Sequence, residues 1–189
     1  MTSLYLTNLA EHQRAFERLA ALDTDVDRAG QLIAKSLAEG GKLLSCGNGG
    51  SAADAQHIAS ELTGRFLKDR RPLAAIALTT DTSALTCIGN DYSFDEVFAR
   101  PLRGLGRQGD VLFAISTSGN SANVRRAAEA ARELGITVIG LLGRNGGAIK
   151  ALSDVAIVVP NDVTARIQEA HLLIIHTLCG LVEQHLGLA

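Results

Sequence analysis

A histidine and a glutamate stand four residues apart in KLLSCGNGGSAADAQHIASELTGRF, residues 42–66. If the segment is helical beyond its glycines, His57 and Glu61 share one helix face. An imidazole and a carboxylate so placed can share a metal ion or divide base and acid roles; alone, such a pair is also a common solvated contact. Just before them, Gly47-Asn48-Gly49-Gly50-Ser51-Ala52 satisfies G-x-G-x-x-A, which announces a dinucleotide when an acidic residue closes the following strand. That strand ends in ALTTD, where Asp81 lies too far along. What survives is the general property of a glycine loop that opens a helix. Its free backbone N–H groups can meet the oxygens of a phosphate or of a polar sugar.

A second loop, STSGNS, has sharper chemistry. Ser116, Thr117, Ser118 and Ser121, spaced by Gly119 and Asn120, put hydroxyl donors and a helix N-terminus at one point. This reads as a phosphate cradle without a lysine, although an ordinary N-cap with turn residues would use the same types. There is no G-x-x-x-x-G-K-[ST], so nucleotide triphosphate hydrolysis is not expected. Near the end of the chain, Gln168 and His176 lie two turns apart, a rise of about 12 Å on a helix. His176 sits in LLIIHTL, where a core histidine is the default, and His171 is a rival beside Gln168. His12, His171 and His185 read as structural.

The elements that must hold these residues are legible from apolar runs. LLSC (43–46), AAIAL (74–78), VLFAI (111–115), TVIGLL (137–142) and VAIVV (155–159) are short and continuous, with helical segments between them. Strands buried on both faces read this way, so the fold is expected to be α/β, a doubly wound five-stranded parallel sheet of order 2-1-3-4-5. Its switch point falls between strands one and three, where the glycine and serine loops both emerge. Residues 1–40 read as a helical extension of two amphipathic helices, with Leu4, Leu9, Phe16 and Leu19, then Val26, Ala29, Leu32, Ile33 and Leu37 at helical spacing. A long helix from about Thr164 is apolar nearly all round in its middle and so is buried on more than one face. One domain, 1–189, is expected. So much apolar helix around so small a sheet points to self-association through the helices, the alternative being that they only cover the sheet of one chain.

Composition narrows the partners. Eighteen basic and 20 acidic residues give a net charge of −2, with no basic run, which argues against nucleic acid. Cys46, Cys87 and Cys179, odd in number and each among apolar neighbours, read as reduced core cysteines. Polar residues interrupt the N-terminal segment and no run reaches transmembrane length, so a cytoplasmic protein without a membrane partner is expected.

SCGNGGSAADAQHIASELTGRF, CIGND, GDVLFAISTSGNSANV and ARIQEAHLLIIH, taken together and in this order, resemble the phosphoheptose isomerases of the sugar isomerase (SIS) fold group, over essentially the whole chain. The resemblance implies a cytoplasmic homotetramer that converts D-sedoheptulose 7-phosphate into D-glycero-D-manno-heptose 7-phosphate, the first step toward activated heptose for surface polysaccharide such as lipopolysaccharide. It implies substrate contacts at Asn48, Gly49, Gly50, Glu61, Asn90, Asp91, Ser116, Thr117, Ser118, Ser121 and Gln168, with Arg65 aiding an anion. It implies one zinc ion per site on His57, Glu61, Gln168 and His176, and catalytic roles for Glu61 and His176. Because about 12 Å of helix rise separates Gln168 from His176, one ion is reached from opposite ends or with help from a second subunit, and a site at a subunit contact is expected. A relative without the chemistry, a binding protein for a replication initiator, shares the glycine and serine loops but has the His/Glu and final His positions replaced. The alternative reading is therefore a non-catalytic SIS-domain protein that binds a sugar phosphate or such an initiator.

Overall fold

A computed structural model describes residues 3–189. Its centre is a five-stranded, wholly parallel sheet: β1 (Leu43–Cys46), β2 (Ala75–Ala77), β3 (Val111–Ser116), β4 (Thr137–Gly143) and β5 (Val155–Val159), in the order β2-β1-β3-β4-β5. The order is the expected one. β1 pairs with both β2 and β3, Leu44 lying opposite Ile76 on one side and Leu112 on the other. Helices cover both faces, which is why the strands are apolar runs and not alternating patterns.

The two faces have separate cores. Successive residues of β3 divide between them: Val111, Phe113 and Ile115 point to one, Leu112 and Ala114 to the other. The first core is closed by α2 (Asp23–Ala38), α3 (Gly50–Thr63) and α8 (Thr164–His185), through Ile33, Ile58, Leu62, Ile167, Ile174 and Leu178 among others. The second is closed by α5 (Ala99–Leu105) and α6 (Ala122–Glu133), whose small residues Ala127, Ala128, Ala130 and Ala131 let that helix lie close to the strands. Two further helices, α4 (Thr82–Asp91) and the single turn α7 (Gly147–Lys150), connect strands at the two ends of the sheet.

Of the two N-terminal helices, α2 is a cover for the sheet of its own chain. It buries Val26, Ala29, Gly30, Ile33, Ala34 and Leu37 at helical spacing, and acidic Asp23 and Asp25 complement its N-terminal dipole. The first helix, α1 (Leu4–Phe16), is different: it buries only Ala15 and leaves Leu4, Tyr5, Leu6 and Leu9 in solvent. α8 is buried on several sides, as its composition requires, and includes His171, Arg166 and Glu183 among its buried residues. No helix of the described residues is long and apolar enough to cross a membrane.

One sequence expectation fails. Cys46 and Cys179 are buried, and burial pushes both thiols up to about 12, but Cys87 is exposed on α4. That helix follows the edge strand β2; Leu85 and Ile88 pack half-buried against the second core, but none of its residues is fully buried and Cys87 lies on its exposed side.

Candidate active site

β1 and β3 are neighbours at the centre of the sheet, and each feeds a loop into a helix at the same edge. The glycine loop runs from Gly47 into α3. At Gly50, the first residue of α3, the carboxamide of Gln168 fills the space that a Cβ would take. Gln168 is thus seated at the mouth of the loop. The side chain of Asn48 exchanges two hydrogen bonds of 2.8 Å with that of Asn123 on α6, a residue that sequence reasoning did not single out.

The serine loop, Ser116 to Ser121, does not cap its helix in the ordinary way. Ser121 occupies the N-cap position of α6, yet its hydroxyl makes no capping bond and lies 3.1 Å from that of Ser116 instead. Ser118 Oγ, 3.5 Å from Ser116 Oγ, accepts from the backbone N–H of Asn120. Hydroxyls that bond to one another at an uncapped helix start can turn toward an anion without leaving a cap broken. The loop is held from behind by the turn that opens α7: Ala148 N–H donates to Asn120 Oδ1 and Ile149 N–H to the Gly119 carbonyl, both at 3.0 Å. Gly119, at φ +65°, lies so close to the Gly146 carbonyl that any Cβ would collide with it.

α3 and α8 meet at three levels, which set their register. At the first level Gln168 lies against Gly50. Next, His57 Nε2 is 3.1 Å from His176 Nε2 and 3.2 Å from Glu61 Oε1. Phe66 stacks on the His176 ring, with centroids 5.7 Å apart. At the third level Arg70 closes the C-terminal end of α3: its guanidinium donates to the carbonyls of Glu61 (2.7 Å), Leu62 (2.8 Å) and Gly64 (3.0 Å) and to Glu183 Oε1 on α8 (2.8 Å). These carbonyls are among the four that every helix end leaves without an intrahelical partner.

His57, Glu61 and His176 thus come together within a single chain, their candidate ligand atoms within 4.8 Å of one another. For these three the spacing argument that called on a second subunit does not apply. Gln168 lies a level away, its carboxamide at the glycine loop. The donor set suits a zinc ion. Two imidazole nitrogens and a carboxylate oxygen face one point, and His57 Nε2, with one hydrogen or one lone pair, cannot serve both neighbours fully. One turn before His57, Asp54 has an oxygen buried without a partner; burial pushes its carboxyl up to about 6, against the pull of His57.

The other residues read from the sequence lie elsewhere. Asn90 and Asp91 are exposed at the end of α4, where Asn90 Nδ2 donates to Asp91 Oδ1 and Cys87 Sγ approaches Asp91 Oδ2. Arg65 is exposed and donates to the carbonyl of Leu67. His171 is fully buried, its Nε2 3.2 Å from the Leu142 carbonyl, and burial lowers it to about 4. His12 pairs with Glu169 at 2.8 Å, and His185 approaches Asp27.

A family model described as the SIS domain matches residues 5–143. The phosphoheptose isomerase of Nitratiruptor sp. is 56% identical over 177 residues, which cover 93% of this chain and 95% of the relative. That of Campylobacter jejuni serotype O:6 is 52% identical over 97% of this chain and 99% of its own length. The chain belongs to the phosphoheptose isomerase family. The solved structure of a phosphoheptose isomerase from Neisseria gonorrhoeae matches it with a TM-score of 0.91 at 52% identity, covering 95% of this chain and 97% of that one. Another, from Francisella tularensis, matches at 0.93 with 41% identity, covering 97% and 100%. The likeness to the phosphoheptose isomerase family therefore extends beyond the loops to both helices that carry His57, Glu61 and His176.

Proposed function

We propose that the chain interconverts D-sedoheptulose 7-phosphate and D-glycero-D-manno-heptose 7-phosphate through an enediol. The observation that carries this is the convergence of His57, Glu61 and His176 in a chain that also presents an uncapped serine loop. In this reading the phosphate binds Ser116, Thr117, Ser118 and Ser121. Asn48, Gly49, Gly50, Glu61 and Gln168 hold the sugar. Moving a carbonyl between neighbouring carbons requires one group to take and return a proton on carbon and another to serve the oxygens. Glu61 is the base on carbon and His176 serves the oxygens. Binding energy from the phosphate, remote from the reacting carbons, orients them.

His57, Glu61 and His176 would hold one zinc ion, with Gln168 as a fourth ligand once its carboxamide swings from Gly50 toward them. A bound zinc would polarise an oxygen of the substrate while favouring the ionised form of Glu61. We assign Asn90 and Asp91 to a site completed across a subunit contact in a homotetramer. Their exposure on a helix with no fully buried residue supports this, as do the exposed leucines and Tyr5 of α1. The whole chain acts as one SIS domain, in the cytoplasm, at the first step toward activated heptose.

The test is turnover of sedoheptulose 7-phosphate by the purified protein, before and after chelation and with zinc restored. Turnover that is lost on chelation and returns with zinc is the expected result. Unchanged turnover after exhaustive chelation would remove the metal from the reading. Turnover of a different ketose phosphate alone would change the substrate, and none on any would favour a non-catalytic binding protein.

A further inference from the structure

The orientation of the Asn48 side chain is dictated from beneath it. A carboxamide turned over about its last bond exchanges donor and acceptor with almost no change of shape, so something must choose between the two. Here the choice starts at a backbone group. The N–H of Val124, in the first turn of α6, can only donate, and it lies 2.9 Å from Asn123 Oδ1, which must therefore be the oxygen. Asn123 Nδ2 is then the atom that faces Asn48 Oδ1, and Asn48 Nδ2 donates back to Asn123 Oδ1, each at 2.8 Å. Asn123 is 3% exposed, whereas Asn48 is only half-buried at the mouth of the glycine loop. Each amide carries two hydrogens and two lone pairs. After the exchange, Asn48 keeps one N–H and one lone pair of its oxygen for a ligand, in fixed positions.

Taking Asn48 as a substrate contact, as proposed above, we infer that Asn123 is a positioning residue of the isomerase site. It sets which atoms Asn48 shows to the sugar. It also ties the glycine loop on β1 to the helix behind the serine loop on β3, so that the groups holding the sugar and those holding the phosphate keep one separation. Asn123 need not touch the substrate, since Asn48 lies between them. Removing its side chain frees the Asn48 carboxamide to turn over and leaves the Val124 N–H without its acceptor.

The experiment is a double-mutant cycle on the full chain with sedoheptulose 7-phosphate: wild type, Asn48→Ala, Asn123→Ala and both together, each with kcat, KM and Tm. Asn123→Ala is expected to lower kcat/KM about tenfold, the size of one hydrogen bond used in positioning. The same change in the Asn48→Ala background should have almost no further effect. Losses that simply multiply, or a fall in Tm with kinetics unchanged, would overturn the inference. If Asn123→Ala does not fold, Asn123→Asp keeps the acceptor for Val124 and removes the donor to Asn48. Its carboxylate still accepts from Asn48 Nδ2 and sets a second acceptor against Asn48 Oδ1, so the coupling in this cycle reads the lost donor and the added charge together. An arm independent of turnover follows the side-chain NH2 signals of Asn48 in asparagine-labelled protein by NMR. Two exchange-protected protons with shifts displaced from those of a free carboxamide in the wild type should move to the free positions and lose their protection in Asn123→Ala; they stay two signals, because the amide C–N bond turns slowly. Signals that do not change would overturn the inference even for a fully active enzyme, whereas a wild type without turnover would count against the functional reading and leave this arm to decide.

Discussion

Two clusters of ionisable side chains lie where α3 and α8 meet, one level apart, and they are built to opposite rules. Arg70 and Glu183 have side chains 2% and 1% exposed, and the guanidinium is spent on a carboxylate and on the carbonyls that end α3. Each charge there has its partner, so the pair is a structural staple that leaves nothing for a ligand. His57, Glu61 and His176 are half-open to solvent, and three atoms that all want a proton or a cation face one point. Burial with full satisfaction holds the helices together, while exposure with a shortfall of donors marks the place where chemistry is left to be done.

The contrast can be broken at either end. Glu61→Gln should lower kcat by about 10²–10⁴-fold, the usual worth of a positioned acid or base, while unfolding in urea stays within about 0.5 kcal/mol of wild type. Full turnover in that variant would remove Glu61 as the base. Glu183→Ala should do the reverse. By leaving Arg70 buried without its partner it should cost about 3–5 kcal/mol of stability, read from the shift of the urea midpoint.

The histidines five residues apart on α8 sharpen the same point with a smaller effect. His171 is buried and held neutral, its value lowered to about 4 by burial. The unfolded chain takes up a proton near 6.5 that the folded one refuses, so stability from this group is complete above about 6.5. It is lost as pH falls toward 4, by up to about 3 kcal/mol. His171→Leu should flatten that part of the pH dependence relative to wild type, as measured by urea unfolding at neutral and acid pH. An unchanged slope would show that His171 opens to solvent before the fold is lost.

The sheet was legible because a strand covered on both faces must be an apolar run, and the runs at 43–46 and 155–159 coincide with β1 and β5. The edge was less so. β2 is limited to Ala75–Ala77, and only the side of its helix α4 that carries Leu85 and Ile88 meets the second core, so Cys87, among apolar neighbours in sequence, stands on the exposed side. His57 and Glu61 could be put on one helix face from their spacing, but their meeting with His176 could not. It depends on α3 and α8 lying side by side with Gln168 at Gly50, a matter of tertiary register. Asn123 and Arg70 carried no local signal at all, one in the first turn of a helix and the other in a charged loop. Glu183 did carry one, as a lone carboxylate on the apolar side of α8 near Leu178, Cys179 and Val182.

The contact between His57 and His176 spans 119 residues of chain. Closing a loop of that length costs on the order of 4 kcal/mol of chain entropy before anything is gained. Pairing of β1 with β3 closes a shorter loop, and α8 needs the sheet and α3 as the surface on which it docks. The candidate ligand cluster therefore exists only when α3 and α8 are both docked. A molecule with its sheet in place but α8 undocked would lack it, so metal binding at the proposed site would report on that docking.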